Sequence, residues 1–311
     1  MSLKKISKAV IPVAGLGTRM LPVTKVTSKE LLPVYNKPII QYIVEEAVSA
    51  GITEIIFITS SKKSRVLNYF KKNSDLEARL KNNNKKNILN IVNESKFNKI
   101  KFNQVIQKKP LGLGHAILKA RDLIKEDAFA IFLPDELLIT EKRKKSDFQR
   151  MMDNFYSNEK GQILVEEVQK NLISQYGVVK FSEKPIRNSE SIDIFDIIEK
   201  PSSKKAPSNN RVVGRYILPK EIFDYLAKIR PGKDNEIQLT DALKDALFEK
   251  KMIIQAIKSK SKIYDCGSIK GLLGANIEFG MKDKETKQFL IKILNSPGGG
   301  IGRHKGLKIP R

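Results

Sequence analysis

Residues 8–33, KAVIPVAGLGTRMLPVTKVTSKELLP, join an apolar, β-branched run to a glycine turn and then to a basic segment punctuated by prolines. The run up to Ala14 has the length and composition of a buried strand. Gly15 and Gly17 allow the backbone to approach an anion closely, and successive N–H groups in such a turn can form an anion-binding nest. The stretch therefore predicts the first strand of an α/β sheet, leading directly into a ligand loop.

The glycine spacing is close to a dinucleotide-binding fingerprint, but two features of that fingerprint are missing. Its third small residue would stand where the chain has Met20. A nicotinamide site would also need an acid after the second strand, which instead ends ITSSKK (residues 58–63). The glycines are followed by Arg19, Lys25 and Lys29 and not by the G-K-[ST] of a P-loop. A merely tight turn stays an alternative, while the three cations favour a polyphosphate ligand.

Short apolar runs alternate with segments of helical period along most of the chain. The predicted strands are 9–14, 54–60, 128–134, 162–168, 177–181 and 212–218. The predicted helices, in which apolar residues recur every three or four positions, are 37–51, 113–124 and 240–250. The alternation predicts an α/β fold with a largely parallel, covered sheet, whose ligands bind beyond the carboxyl ends of the strands.

Two polar regions interrupt the alternation without dividing the chain. Residues 61–100 are rich in Lys and Asn and predict a helical excursion, and residues 182–210 hold a short strand between polar loops. The sequence has no internal repeat and no long linker, so we expect a single domain over residues 1–294. The Gly-rich, basic residues 295–311 predict a disordered tail.

The chain of 311 residues has 58 Lys and Arg against 34 Asp and Glu, which gives a net charge of +24. Such a charge attracts anionic ligands and is also the footprint of nucleic-acid binding. A compositional bias toward Lys and Asn explains it as well, and no RGG or zinc-finger pattern is present, so we expect no specific nucleic-acid partner. No stretch reaches the ~18 apolar residues of a membrane span. The one cysteine, Cys266, excludes an internal disulfide and fits a cytoplasmic location.

Two acids that lie far apart in the chain are candidate metal ligands. FLPDELLI (132–139) places Asp135 at the carboxyl end of a buried strand, and YDCGS (264–268) places Asp265 before a glycine and a helix. Mg²⁺ is held by one or two carboxylates together with substrate phosphates, so these two would form such a site if the chain folds back. A turn acid or a helix cap remains the alternative at each position.

The motif IIEKP (197–201) pairs an acid and a base at a predicted strand end. Because side chains alternate along a strand, Glu199 can accept sugar hydroxyls while Lys200 meets a phosphate. An ordinary charged edge before a proline is the alternative.

The motif QKKPLGLGHA (107–116) leads from a predicted strand through glycines into a helix. The Gln107 side chain has both a donor and an acceptor, so with a backbone amide near Gly112 it can pair with the edge of a pyrimidine. His115 is interpreted as a structural helix residue, because no Ser or Cys motif accompanies it.

In this order, the segments resemble the bacterial UTP–glucose-1-phosphate uridylyltransferases, also called UDP-glucose pyrophosphorylases. The resemblance covers residues 8–292 and rests on GLGTRMLPVTKVTSKELLPVYNKPIIQYIVEEA, with QYGVVKF, NEIQLTDAL and YDCGSIKGLLGAN extending it. Residues 74–92 resemble a helical segment that the family carries and the related thymidylyltransferases lack. The chain departs from the family pattern at three positions: Val13 stands for a common Ala, Ser28 for a usual Pro, and Glu136 for an apolar residue.

The resemblance implies an α/β, three-layer Rossmann-like nucleotidyltransferase fold with a central, mostly parallel mixed sheet. It also implies a role for each residue of the motifs. The catalytic cations would be Arg19, Lys29 and Lys200. The nucleotide would be bound by Ala14, Gly15, Lys25, Gln107 and Gly112. The sugar phosphate would be bound by Gly177, Glu199, Lys200 and Val212. The metal would be bound by Asp135 and Asp265.

The reaction implied by the resemblance is transfer of a uridylyl group from UTP to glucose 1-phosphate, with Mg²⁺ as cofactor. A sugar phosphate is already anionic at neutral pH, so its oxygen can attack the α-phosphorus in line without a general base. Catalysis then consists of positioning and charge neutralisation. The resemblance also implies a homo-oligomer, either a dimer or a tetramer. An enzyme that uses dTTP or another sugar 1-phosphate, and a catalytically silent paralogue, remain alternatives.

Overall fold

The computed structural model describes residues 5–60, 65–92, 97–141, 143–182, 191–232 and 235–295. Its strands, in chain order, are β1 (Lys8–Pro12), β2 (Pro33–Val34), β3 (Lys37–Pro38), β4 (Glu54–Thr59), β5 (Lys101–Ile106), β6 (Ala128–Phe132), β7 (Glu136–Ile139), β8 (Gly161–Glu167), β9 (Gly177–Phe181), β10 (Ser191–Glu199), β11 (Asn210–Pro219), β12 (Ile254–Lys258) and β13 (Lys262–Asp265). Its α-helices are α1 (Ile39–Ser49), α2 (Arg65–Tyr69), α3 (Ser74–Asn82), α4 (Lys86–Val92), α5 (Leu113–Leu118), α6 (Asp147–Asn158), α7 (Ile222–Leu226), α8 (Leu239–Phe248), α9 (Ile269–Gly280) and α10 (Lys284–Leu294).

Nine of these strands form one central sheet in the order β5-β4-β1-β6-β11-β8-β12-β10-β9. The block β5-β4-β1-β6 is parallel, and Ala9 of β1 stands opposite Ile55 on one side and Ala130 on the other. β8 and β12 are parallel to each other, while β10 and β11 run antiparallel to their neighbours. Seven of the nine strands therefore point the same way, which confirms the predicted mostly parallel mixed sheet.

Helices cover both faces of this sheet. Successive side chains of a strand point to opposite faces, so each strand contributes residues to two separate hydrophobic cores. In β1, Ala9 and Ile11 belong to one core and Val10 to the other. The first core is closed by apolar residues of α1 and α6, and the second by those of α5, α7 and α8. Helix, sheet and helix form the three layers that the sequence predicts.

The predicted elements are largely confirmed. All six predicted strands are present, with bounds that differ by at most two residues from the predicted ones. The helices predicted at 37–51 and 240–250 are α1 and α8.

The helix predicted over 113–124 is wrong in its second half. α5 ends at Leu118, and a 3-10 turn follows at Arg121–Leu123. Lys8 of β1 donates from Nζ to the Leu123 carbonyl at 2.6 Å, so this turn is held by a contact with a strand more than a hundred residues earlier. Such a contact leaves no periodic signal in the local sequence.

Residues 65–92 contain the three short helices α2, α3 and α4, in the region where the sequence predicts a helical excursion. β10 is the strand predicted within 182–210. The single domain over 1–294 stays a prediction, and the predicted tail beyond Asn295 lies outside the described residues. In the part of the chain that the structure describes, no helix has the length and apolar composition needed to cross a membrane.

A separate two-stranded sheet folds the C-terminal part of the chain back onto the central sheet. β7, which closely follows β6, pairs antiparallel with β13, and Asp265 stands opposite Glu136. Beyond the ladder, the Cys266 amide donates to the Asp135 carbonyl at 2.7 Å. The two acids that the sequence predicts as a pair are thus brought together by backbone hydrogen bonds.

Candidate functional site

A cleft of about 530 Å³ lies beyond the carboxyl ends of the parallel strands. Its walls are Arg19, Leu113, Leu133, Asp135, Glu136, Gln175, Tyr176, Gly177, Glu199, Lys200, Val212, Tyr216, Gln238, Leu239, Thr240 and Asp265. The predicted site residues among them are Arg19, Asp135, Gly177, Glu199, Lys200, Val212 and Asp265. The cleft therefore gathers residues from motifs that lie far apart in the sequence, at the edge where α/β sheets bind ligands.

Arg19 bridges the two acids of the cleft. Gly17, at φ 68°, precedes the short 3-10 turn Thr18–Met20 that carries this side chain. Arg19 donates from Nη1 to Asp265 Oδ2 at 2.7 Å and from Nη2 to Asp265 Oδ1 at 3.3 Å. The same Nη2 lies 3.6 Å from Asp135 Oδ2. Burial lowers the pKa of Arg19, but Asp265 and Asp135 outweigh this and hold the pKa above its usual range.

Lys29 holds Asp135 from the other side. The 3-10 turn Lys29–Leu31 places its Nζ 2.6 Å from Asp135 Oδ2. Burial lowers the pKa of Lys29, but the charges of Asp135 and Glu30 raise it above its usual range. Burial likewise raises the pKa of Asp135, and Lys29 and Arg19 together bring it below its usual range. Both partners are therefore charged at neutral pH.

The two carboxylates fit a Mg²⁺ ion that is completed by substrate phosphates. Gly267 keeps the space between them open, because a Cβ there would lie 2.9 Å from Asp135 Oδ2 and 3.0 Å from Asp265 Oδ1. Within the described ranges, no group of three or more His, Cys, Asp or Glu side chains could hold a metal ion. The described residues thus offer two carboxylates here, and substrate and water would have to supply the remaining ligands of a bound metal.

The opposite wall of the cleft contains the predicted sugar-phosphate residues. Glu199 accepts a hydrogen bond at Oε2 from Thr240 Oγ1 at 3.1 Å, and its Oε1 lies 3.7 Å from Lys200 Nζ. Lys200 has a left-handed backbone, φ 43°, and its amide donates to the Tyr176 carbonyl at 3.0 Å. The wall is therefore fixed by a side-chain contact at Glu199 and a backbone contact at Lys200.

Gln107 and Gly112 contact each other next to the cleft but are not among its lining residues. Gln107, which follows β5, donates from Nε2 to the Gly112 carbonyl at 3.2 Å and lies 2.9 Å from His115 Nδ1. Burial and the charge of Lys119 lower the pKa of His115, which favours the neutral ring that can accept this hydrogen bond. His115 is in α5, as the sequence analysis expects, and also orients Gln107.

The three other predicted nucleotide-binding residues also lie outside the lining of the cleft. Ala14 is buried just beyond β1, whereas Gly15 and Lys25 are exposed. Lys25 forms no ion pair with any residue in the described part of the chain. Their roles stay predictions.

Several polar residues near the cleft are not predicted as site residues from the sequence alone. Thr240 was interpreted only as part of a helix, and Tyr176 only as part of a matching segment. Arg211 does not line the cleft but contacts Glu136 and Tyr176 of its lining, and it stands at the edge of an apolar run that predicts an ordinary strand. For these residues the signal was in the tertiary contacts, although Glu136, noted as a departure from the family pattern, pointed to Arg211.

Arg211 of β11 is paired with two acids. It donates from Nη1 to Glu136 Oε1 and from Nε to Glu166 Oε2, the latter at 2.8 Å. Burial lowers the pKa of Arg211, but Glu136 and Glu166 raise it above its usual range. Burial raises the pKa of Glu136, and the neighbouring Asp135 adds to this, while Arg211 opposes it.

The comparisons with known proteins give a consistent result. The family model described as "Nucleotidyl transferase" matches residues 8–280. The UTP–glucose-1-phosphate uridylyltransferase of Escherichia coli (strain K12) is 41% identical over 280 residues, which cover 89% of this chain and 91% of that protein.

Solved structures agree with the sequence relatives. A UTP-bound UGPase from Acinetobacter baumannii aligns with a TM-score of 0.84 at 39% identity, covering 94% of this chain and 99% of that one. A UDP-glucose pyrophosphorylase complexed with UDP-glucose aligns with a TM-score of 0.78 at 38% identity, covering 90% and 100%.

Proposed function

The chain belongs to the nucleotidyl transferase family of UTP–glucose-1-phosphate uridylyltransferases, and we propose that it transfers a uridylyl group from UTP to glucose 1-phosphate. The products are UDP-glucose and pyrophosphate. The observation that carries the proposal is the cluster in which Arg19 and Lys29 hold Asp135 and Asp265 at one end of the cleft. Two cations beside two carboxylates are what a site for a metal-bound triphosphate needs.

The reaction is an in-line displacement at phosphorus. An oxygen of glucose 1-phosphate forms a bond to the α-phosphorus of UTP while the bond from that phosphorus to the pyrophosphate oxygen breaks. The attacking oxygen is already anionic, so no protein base or nucleophile is required. The main obstacle is repulsion between two anions, which fixed cations reduce best in a partly desolvated cleft.

Each cation of the cleft is proposed to neutralise a different phosphate group. Arg19, 58% exposed at its side chain, can turn from the carboxylates toward the phosphates of UTP. Lys29 neutralises the departing pyrophosphate, and Lys200 meets the phosphate of the sugar substrate. Asp135 and Asp265 would hold Mg²⁺, which when bound supplies further neutralisation of phosphate charge.

The base of UTP is recognised by Gln107 and the backbone at Gly112. Both N–H donors of Gln107 have protein acceptors in reach, namely the Gly112 carbonyl and His115 Nδ1. The acceptor Oε1 is then the atom suited to the imide N–H of uracil. Ala14 and Gly15 offer backbone contacts to the nucleotide, and the exposed Lys25 adds a supporting charge.

Glucose is held at the opposite wall. The Glu199 carboxylate, oriented by Thr240, accepts hydrogen bonds from sugar hydroxyls. Gly177 and Val212 form the adjacent surface against which the ring packs.

A substrate matrix tests the proposal. Pyrophosphate release is measured with UTP, dTTP and other nucleoside triphosphates against several sugar 1-phosphates, with and without Mg²⁺. We expect UTP with glucose 1-phosphate to react fastest and only with a divalent metal. A stronger preference for dTTP would replace the proposal with thymidylyl transfer, and no turnover with any pair would indicate a silent paralogue.

We also infer a homo-oligomer that works in the cytoplasm. Ile269, Leu273 and Ile277 lie on one side of α9 and are exposed, and Phe289 of α10 is exposed as well. An exposed apolar stripe of this kind favours association with a second copy. The one cysteine, Cys266, is buried and forms no disulfide, which fits a reducing compartment.

A further inference from the structure

Arg211 contacts two residues that line different parts of the cleft. It lies in β11, opposite Glu166 of β8 and Val178 of β9, with a side chain only 5% exposed. On the metal side it binds Glu136, the residue directly after Asp135. On the sugar side its guanidinium carbon lies 4.5 Å from the centre of the Tyr176 ring.

The partners of Arg211 argue against a role as another phosphate-binding cation. Its guanidinium donates hydrogen bonds to both Glu136 and Glu166. A phosphate would have to displace these carboxyl groups to reach the donors of the guanidinium. Arg211 therefore acts on the site through what it positions.

The residue that it positions is Tyr176. The Tyr176 ring lines the cleft, its carbonyl accepts the Lys200 amide at 3.0 Å, and Gly177 follows it in the chain. A shift of Tyr176 would therefore move the backbone of Lys200, whose ammonium is proposed to meet the sugar phosphate. The guanidinium, hydrogen-bonded to carboxyl groups on two sides, lies over the ring as its cation–π partner.

We propose that Arg211, clamped by Glu136 and Glu166, is a positioning residue for the sugar-phosphate half of the cleft and acts through the ring of Tyr176. The inference rests on the proposed function, since it concerns the part of that site that is proposed to bind glucose 1-phosphate. Glu136 is the acid found where the family pattern has an apolar residue. In this proposal its role is to hold Arg211 in place. Gln107, which is proposed to bind the base, has Gly112 and His115 as its side-chain partners instead.

The test begins with Arg211→Lys, which keeps the charge between the two acids but loses the planar fork. We expect the KM for glucose 1-phosphate to rise about 3- to 30-fold, the range of a cation–π contact, with the KM for UTP unchanged. Arg121→Lys is the matched control, because Arg121 pairs with Asp224 at 2.8 Å and lies outside the cleft lining.

A double-mutant cycle with Tyr176→Leu decides whether the effect passes through the ring. If it does, Arg211→Lys adds little further rise in KM once the ring is gone. Tyr176→Phe, which keeps the ring face, should restore most of the sensitivity to Arg211→Lys. If the two effects multiply as independent changes, the proposed route through Tyr176 is overturned.

A second variant keeps the test interpretable if Arg211→Lys is poorly folded. Glu136→Leu combined with Arg211→Leu removes the buried charge pair together, and such exchanges are often neutral for stability. We expect a thermal midpoint close to that of the wild type and the same selective rise in the KM for glucose 1-phosphate. Unchanged kinetics in this variant, or an equal rise in both KM values, would show a purely structural ion pair.

The wild-type protein in the same assay separates the two proposals. A wild type that makes no UDP-glucose overturns the proposed function and the sugar-phosphate assignment with it. An active wild type whose variants show no selective change in the KM for glucose 1-phosphate overturns the positioning role alone.

Discussion

At the scale of single residues, the metal end of the cleft is electrically balanced. Arg19 and Lys29 face Asp135 and Asp265, so two positive charges meet two negative ones. The net charge of +24 is spread over the rest of the chain and is not stored in this cluster. In the proposed reaction the cations become available to phosphates when the carboxylates bind Mg²⁺ instead, so we expect phosphate binding to depend on metal binding.

Lys29→Met removes the cation that is nearest to Asp135. We expect kcat to fall by about 10²–10³, the cost found for losing one group that stabilises transition-state charge. Asp135 keeps Arg19 as a partner, so the variant should fold, which a thermal melt checks. Lys220→Met, at an exposed lysine paired with Asp127, serves as the control. A kcat within the scatter of that control would contradict the role of Lys29.

Acidification should weaken uracil recognition through His115. Its folded pKa is lowered, so the neutral ring is favoured, and stability is lost as the pH falls from about 6.5, the unfolded value, through the lower folded pKa. Protonation removes the Nδ1 acceptor that orients Gln107. The KM for UTP should therefore rise between pH 7.5 and 5.5.

Substrate phosphates also titrate in this range, so the measurement needs a reference. His115→Gln keeps an acceptor and cannot take up a proton. Its KM for UTP should rise less than that of the wild type over the same pH interval. Equal rises in the two proteins would assign the effect to the substrate.

At the scale of elements, the pairing of β7 with β13 brings the two acids of the cleft together. Each strand has four residues and lies outside the central sheet, yet their pairing sets Asp265 beside Asp135. The turn after β13 continues this arrangement through Cys266 and Gly267. The proposed metal site therefore depends on the backbone of a very small sheet.

Gly267→Ala tests that dependence. A Cβ at this position would lie 2.5 Å from Arg19 Nη2 and within 3.0 Å of both carboxylates. We expect the carboxylates to separate and kcat to fall by about 10²-fold, the scale of a 1 Å misplacement at a reacting centre. The Mg²⁺ concentration needed for half-maximal rate should rise as well.

Gly232→Ala is the matched control, because a Cβ there meets no atom closer than 3.9 Å. Its activity and metal requirement should equal those of the wild type. If Gly267→Ala behaves like this control, the space between the acids is not needed for the reaction.

The elements themselves were predicted well where burial is periodic. The six strands and the helices α1 and α8 repeat apolar residues at the spacing of strand or helix, so a short window of sequence reveals them. The second half of the predicted helix at 113–124 failed because Lys8 stabilises a turn there. The short strands β7 and β13 were not predicted either, since four residues are too few to show a period.

At the scale of the whole molecule, the exposed stripe on α9 predicts self-association. Leu273→Glu places a charge in the centre of the stripe, between Ile269 and Ile277. We expect the mass from light scattering after size exclusion to fall to that of one chain, because burying an unpaired charge in the contact is costly. Phe248→Glu, at an exposed residue that ends α8, should leave the mass unchanged. A wild-type mass for Leu273→Glu would place the contact elsewhere.

The sequence by itself determined the layers of the fold and the chemical character of its ligand loop. Strand and helix periods report burial residue by residue, and the glycines with Arg19, Lys25 and Lys29 lie within one short stretch. Only the tertiary structure decided which distant groups meet. The Asp135–Asp265 pair arises from a strand ladder across the chain, and the stack of Arg211 on Tyr176 arises where two strands and a loop converge. Such contacts join residues whose separation along the chain carries no period, so their geometry exists only in the folded molecule.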